Sequence, residues 1–192
     1  MKLDFSAGAW QPESQVTYAY SCRFEQTPVF TQLPDHIASR EDPQAVYGFE
    51  NISLLSTGKY TAGTTVTTRC AFEGDAAPLI VLAKDLQPDA RGVQRYGEYL
   101  EIVLYKNGVN VWHMRMVDGA VTWKKQLGVE FPVSAGEPHT LSVRVQGEQL
   151  LIAADEHKMS VLVEDMYPAF HAGIDACEGI CRFYSLEIGE AE

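Results

Sequence analysis

Alternation of apolar and polar residues constrains this chain more than any other feature. Thr64–Phe72 reads TTVTTRCAF, Tyr99–Tyr105 reads YLEIVLY and Val109–Met116 reads VNVWHMRM. HTLSVRV, LLIAA, FHAGIDA and ICRFYSLEI follow the same period of two, as does VTYAYSCRFE near the start. Residues i and i+2 of a strand share a face, so this period marks half-buried strands rich in β-branched and aromatic residues. No window of twelve residues carries a helical stripe. A helical turn or two is expected at most, around Asp42–Val46 or Val163–Met166. Many short strands separated by Gly, Asn, Asp and Pro clusters specify an all-β sandwich or barrel. With no linker and no internal repeat, the expectation is one domain over residues 1–192.

Turn dipeptides fix how these strands join. Asn107-Gly108 predicts a two-residue turn with positive φ at both residues. Gly147-Glu148 joins Leu141–Gln146 to Gln149–Ala154, and Asp118-Gly119 links the strand ending at Met116 to Val121–Lys125. Glu178-Gly179 predicts a hairpin between Phe170–Cys177 and Ile180–Ile188, or a three-residue loop that pairs Cys177 with Cys181. The segment TPVFTQLPDHIASREDPQ, with three prolines, reads as a long connection.

A directly opposed pair shares a face. The Asn107-Gly108 turn predicts the pairs Tyr105–Asn110, Val103–Trp112, Glu101–Met114 and Tyr99–Met116. One face then carries Tyr99, Glu101, Val103, Tyr105, Asn110, Trp112 and Met114. The other, with Leu100, Ile102, Leu104, Val109, Val111 and His113, faces the core. The Glu178-Gly179 hairpin places Phe170, Ala172, Ile174, Ala176, Cys181 and Phe183 inside. It places His171, Gly173, Asp175, Arg182 and Tyr184 outside, with Asp175 and Arg182 as a cross-strand ion pair. Aromatic rings, carboxylates and histidine together on one sheet face mark a binding surface. Rings stack on the C–H faces of sugars, while Asp, Glu, Asn, Arg and His bond the hydroxyls.

Composition narrows the partner. The net charge of −11 argues against nucleic acid and against an anionic membrane, which both need clustered Lys and Arg. It leaves open a neutral mono- or oligosaccharide, a cation, another protein or a homodimer. MKLDFSAGAW has no apolar run of signal-peptide length, so the expectation is cytoplasmic. Of Cys22, Cys70, Cys177 and Cys181, only the last two are close, as C-x3-C. Buried thiols are expected, not a zinc site. No cofactor is expected. Calcium stays open, because Asp35, Asp42, Asp75, Asp85 and Asp89 all fall in loops.

The run YLEIVLYKNGVNVW, then GEPHTLSVRVQGEQLLIAADEHK, then FHAGIDACEGICRFYSLEI resembles the concanavalin A-like lectin/glucanase superfamily, over roughly Tyr47 to Ile188. The resemblance implies a jelly-roll sandwich of two curved antiparallel sheets with a glycan on the concave one. It implies that HTLSVRVQGEQLLI is a hairpin of the convex sheet. Retaining glucanases of the superfamily carry two carboxylates at even spacing on one strand, about 5–5.5 Å apart. Here Glu98 and Glu101 are oddly spaced and point to opposite faces. The Arg-rich and Q-x-H strands of the alginate-lyase relatives are absent.

Three readings follow. The first is a carbohydrate-binding protein whose groove is lined by Tyr99, Tyr105, Asn110, Trp112, Met114, Arg182 and Tyr184, with Glu101, His171 and Asp175. The second is a glycan-active hydrolase or lyase, with Glu101 as general acid or nucleophile and Asp175 or His171 as base. The third is a subunit whose aromatic face is a protein interface. Whether that face is open, or roofed by Thr27–Gln44, decides whether Glu101 and Trp112 form a groove floor or core.

Overall fold

The computed structural model of the chain describes residues 1–7, 15–21, 30–40 and 52–190. Its strands are β1 (Lys2–Asp4), β2 (Val16–Ser21), β3 (Phe30–Gln32), β4 (Ile37–Arg40), β5 (Ile52–Ser56), β6 (Tyr60–Thr61), β7 (Thr64–Phe72), β8 (Ala77–Ala83) and β9 (Gln87–Pro88). They continue with β10 (Gln94–Tyr96), β11 (Tyr99–Tyr105), β12 (Gly108–Val117), β13 (Ala120–Glu130), β14 (His139–Gln146), β15 (Gln149–Ala154), β16 (His157–Leu162), β17 (Ala169–Cys177) and β18 (Ile180–Glu190). No helix forms among the described residues: Val163–Met166 is turn, and Asp42–Val46 lies outside them. Among the described residues, no helix is long and apolar enough to cross a membrane.

The strands make two sheets. One runs β16-β15-β14-β7-β18-β4-β3, with β1 also on β18. The other runs β13-β12-β11-β8-β17-β5-β2-β10-β9, with β6 on β17. Between them lies the main core, including Leu54, Val66, Phe72, Ile80, Leu82, Ile102, Val111, Val143, Ile152, Phe170, Phe183 and Ile188. Each such side chain contributes roughly 1.5–3 kcal/mol by leaving water. The expected sandwich therefore forms, and β14–β15 is a hairpin of the eight-stranded sheet with Gln146 opposite Gln149.

Three sequence expectations about connections are corrected. Glu178-Gly179 does not close a hairpin. β17 pairs with β8 and β5, whereas β18 pairs with β7 and β4, so this dipeptide carries the chain from one sheet to the other. Its positive φ values, 61° and 136°, make the corner. Phe170, Ala172 and Ile174 thus face Cys181 and Phe183 across the core as opposite walls. The connection around Phe30–Arg40 contains the β3–β4 hairpin, which extends the edge of the eight-stranded sheet. It does not lie over the ten-stranded one.

The third correction concerns β11–β12. The observed pairs are Tyr99–Met114, Glu101–Trp112, Val103–Asn110 and Tyr105–Gly108. The register is displaced by two residues, which preserves both faces. Among the turn residues only Gly108 has positive φ, 130°. A Cβ there would sit 2.0 Å from the Val129 carbonyl oxygen, so β13 passes directly beside it and only glycine fits.

The ten-stranded sheet is rolled. Five ladder steps separate β11 from β10, about 24 Å if flat. Yet Tyr96 and Tyr99 are three residues apart and at most ~11 Å distant. The sheet curls until their rings meet edge to face at 4.9 Å. The curl encloses a second core of Ala19, Leu55, Leu79, Val81, Ala83, Tyr96, Tyr99, Val103 and Met114.

One end of the sandwich carries a charge-dependent tie. His139 Nδ1 lies 2.7 Å from Asp155 Oδ2, and Nε2 lies 2.8 Å from the Ser134 carbonyl. Two acceptors favour the doubly protonated ring. Desolvation opposes that charge, but the Ser134 and Asp155 bonds outweigh it and raise the His139 pKa above its ordinary value. The stabilisation is full below the unfolded pKa of about 6.5 and is lost as pH rises through the raised folded value. Melting curves of wild type and His139→Gln are expected to differ most near pH 5.5 and to converge toward pH 9. A gap independent of pH would contradict this.

Candidate functional site

Rows across the ten-stranded sheet build the site. Glu101 stands opposite Trp112 on one side and Val81 on the other, and the row continues to Lys125 and Gly173. The next row holds Val103, Asn110 and Gly128, and the row on the other side holds Tyr99, Met114 and Trp123. A bulge at Val111/Trp112 keeps Lys125 and Gly128 on this same face.

The roll divides the predicted lining in two. Tyr99 and Met114 are fully buried in the second core, which removes them from any accessible groove. Tyr105, Asn110 and Trp112 remain half-buried, joined by Trp123 and Val121 from β13. Trp123 packs edge-on against Tyr99 at 5.7 Å. The Lys125 ammonium stands 5.6 Å from the centre of the Trp112 ring. Asn110 Oδ1 is enclosed and has no hydrogen-bond donor. A Cβ on Gly128 would lie 2.8 Å from Lys125 Nζ and 3.2 Å from Asn110 Oδ1, so this glycine makes room for both.

Arg182 and Tyr184 are elsewhere. They project from β18 on the outer side of the eight-stranded sheet, across the whole sandwich from Trp112. Arg182 pairs with Glu73, and Tyr184 lies under Arg69 and beside His36. The expected Asp175–Arg182 ion pair does not form, because the two strands belong to different sheets. Asp175 is instead 2% exposed, accepting from Ser53 Oγ at 3.1 Å and from the Ala176 amide at 2.6 Å. Tyr96 completes the chain, its hydroxyl 2.7 Å from Ser53 Oγ. Burial first, and the Asp175 charge second, push the Tyr96 phenol well up.

The predicted acid–base residues are not gathered around one point. Glu101 is 8% exposed and two strands from Asp175, ~9.6 Å across the ladder and one row along. His171 is buried, its Nδ1 2.9 Å from the Ser56 carbonyl oxygen, and desolvation lowers its pKa. His113 faces the main core, bonded to the Tyr167 hydroxyl at 2.9 Å, and burial holds its pKa down at about 4. Glu98 is engaged by Lys84 and the Met116 amide.

The candidate calcium ligands are scattered. Asp35 pairs with His36, Asp75 with Lys106 and Asp85 with Lys59. Desolvation pushes Asp89 up, but bonds from the Arg91 and Val93 amides and from the Arg91 and Arg95 side chains bring its carboxyl to about 2. Asp42 lies outside the described residues, and among those no group of three His, Cys, Asp or Glu could hold a metal. Cys70, Cys177 and Cys181 are thiols, and burial pushes Cys70 up. Cys22 lies outside the described residues.

Sequence reasoning missed Trp123, Lys125, Ser53 and Tyr96. The Asp118-Gly119 turn does place Val117 opposite Ala120, and counting back sets Trp123 opposite Met114. Ser53 and Tyr96 carry no such signal, since only the roll brings them to Asp175.

No family model and no curated protein matches the chain. Solved structures do. A carbohydrate-binding module of Bacillus subtilis, CBM66, superposes with a TM-score of 0.60 at 11% identity, over 89% of this chain and 98% of that one. The kappa-carrageenase of Pseudoalteromonas carrageenovora, solved with a kappa-carrageenan oligotetrasaccharide, gives 0.60 at 10% identity over 97% and 92%. A beta-1,3-glucanase of Mycobacterium marinum gives 0.57 at 13% identity over 98% and 97%. The two sheets, antiparallel in every described ladder except the parallel β2–β10 pair, where the expected antiparallel order fails, form a concanavalin A-like jelly roll, the fold this chain shares with these proteins.

Proposed function

We propose that the chain binds a neutral oligosaccharide on the β11–β13 part of the ten-stranded sheet. The observation that carries this is the diagonal pair Trp112 and Trp123, half-buried on adjacent strands and adjacent rows. Diagonal neighbours on one sheet face lie about 7–8 Å apart, within reach of one another for aromatic side chains, so the two rings form one apolar platform. Tyr105 extends the stripe. Lys125 offers a donor to a hydroxyl. The fold's presence in a carbohydrate-binding module and two glycan-active enzymes supports the reading. Glu101, beside Trp112, orients the sugar through its carboxylate.

A titration against neutral mono- and oligosaccharides, read by tryptophan fluorescence and calorimetry with and without calcium, tests it. Saturable quenching with no product supports binding without turnover. Product formation that Glu101→Gln abolishes would replace the proposal by a hydrolase or lyase. Silence across the panel would overturn it in favour of a protein interface.

A further inference from the structure

On the outer face of the eight-stranded sheet, far from Trp112, lies a groove of about 420 Å³ lined by Thr65, Ser142, Arg144, Leu151, Lys158 and Ser160 among others. The ladder sets Thr65, Arg144, Leu151 and Ser160 in one row. The neighbouring row holds Thr67, Ser142, Ala153 and Lys158. Leu151 and Ala153 of β15 separate Arg144 from Lys158.

Arg144 is unusual in this molecule. Among the described arginines, Arg91 and Arg95 pair with Asp89, Arg115 with Asp165 and Arg182 with Glu73, while Arg69 lies over Tyr184. Arg144 is half-buried, and its Nε is enclosed with no acceptor. Beside it Thr65 Oγ1 is also enclosed and unbonded. A buried donor left unmet costs free energy, yet no Asp or Glu lines this groove in a chain with 26 of them. On the same face, Glu187 in the Thr67 row is taken by Lys2.

We propose that this groove binds an oxyanion group, a carboxylate, sulfate or phosphate carried by a small ligand. The terminal Nη groups of Arg144 present paired N–H donors that two oxygens of such a group match. Lys158 adds the second charge. Ser142 and Ser160 supply hydroxyl donors. The site is independent of the sugar stripe, which lies on the other side of the sandwich.

Nitrogen-15 NMR tests it. The intact protein is titrated with sodium phosphate, with sodium acetate and with sodium chloride at matched ionic strength. Saturable shifts of the Arg144 Nε–H and of the Thr65 and Ser160 amides are expected with phosphate, acetate or both, and not with chloride. The oxyanion that saturates first tells tetrahedral from planar chemistry. Arg144→Met and Lys158→Met are each expected to weaken the effect at least tenfold. Should Arg144→Met not fold, the exposed Lys158→Met decides. Shifts that chloride reproduces, that rise linearly without saturation or that survive in the variants overturn the proposal.

Discussion

Replacing Gly173 with alanine is expected to lower the melting temperature by about 6–12 °C. The reason is close approach. A Cβ at this position would lie 1.9 Å from the Leu54 carbonyl oxygen and 2.8 Å from its carbon, both backbone atoms of β5. No rotamer relieves a clash with backbone. β17 has to part from β5, and the bonds around Leu54 and Leu55 go with it. Overpacking of this kind costs about 3 kcal/mol, and each kcal/mol moves the midpoint of a chain this size by about 2–4 °C. Gly189→Ala is the control, since nothing lies within 4 Å of a Cβ there. It is expected to stay within about 0.5 kcal/mol of wild type. Calorimetry on the three proteins checks both. Equal midpoints for Gly173→Ala and wild type would mean that β5 is not seated against β17 as described.

Trp112→Ala is expected to weaken the proposed sugar binding by about 30-fold, equivalent to about 2 kcal/mol, the loss typical of a central aromatic anchor. Stability is expected to fall less than for a core ring, because Trp112 is only half-buried and packs against the second core from its edge. Its removal also releases the exposed Lys125 ammonium, whose contact with the half-buried ring is worth about 0.5–1 kcal/mol. Calorimetric titration beside a melting curve separates the two effects. An unchanged affinity with a large drop in midpoint would make Trp112 a packing residue and move the site off β12.

What the sequence disclosed depended on whether a strand has one wet face. β14 alternates buried and exposed almost perfectly, and its hairpin with β15 was legible down to the register. β8, APLIVLA, does not alternate: all seven residues are buried. Period two cannot find such a strand, and a continuous apolar run is equally a buried helix segment by periodicity alone. β5 was missed for the same reason, with Leu54 in one core and Leu55 in the other. Faces were more robust than partners. A displacement of two residues in β11–β12 left Glu101 and Trp112 on one side, as expected. The pairing of Asp175 with Arg182 failed because a turn dipeptide looks the same whether it closes a hairpin or bridges two sheets. Only the distant partners, Leu79 for Asp175 and Ala71 for Arg182, distinguish the cases.

β8 also determines how the molecule answers force and fit. Leu79, Val81 and Ala83 face the rolled interior, and Ile80 and Leu82 face the sandwich core. It is a partition between two packed rooms, hydrogen-bonded along both edges to β11 and β17. Neither room can swell without the other yielding, so the floor beneath Glu101 and Trp112 has nowhere to retreat. A guest on this floor meets a surface already set in shape. Little ordering is left to be done on arrival, and a guest of the wrong contour is turned away, not accommodated. Backbone amides of β8 should be among the last in the protein to exchange with solvent, bound or unbound.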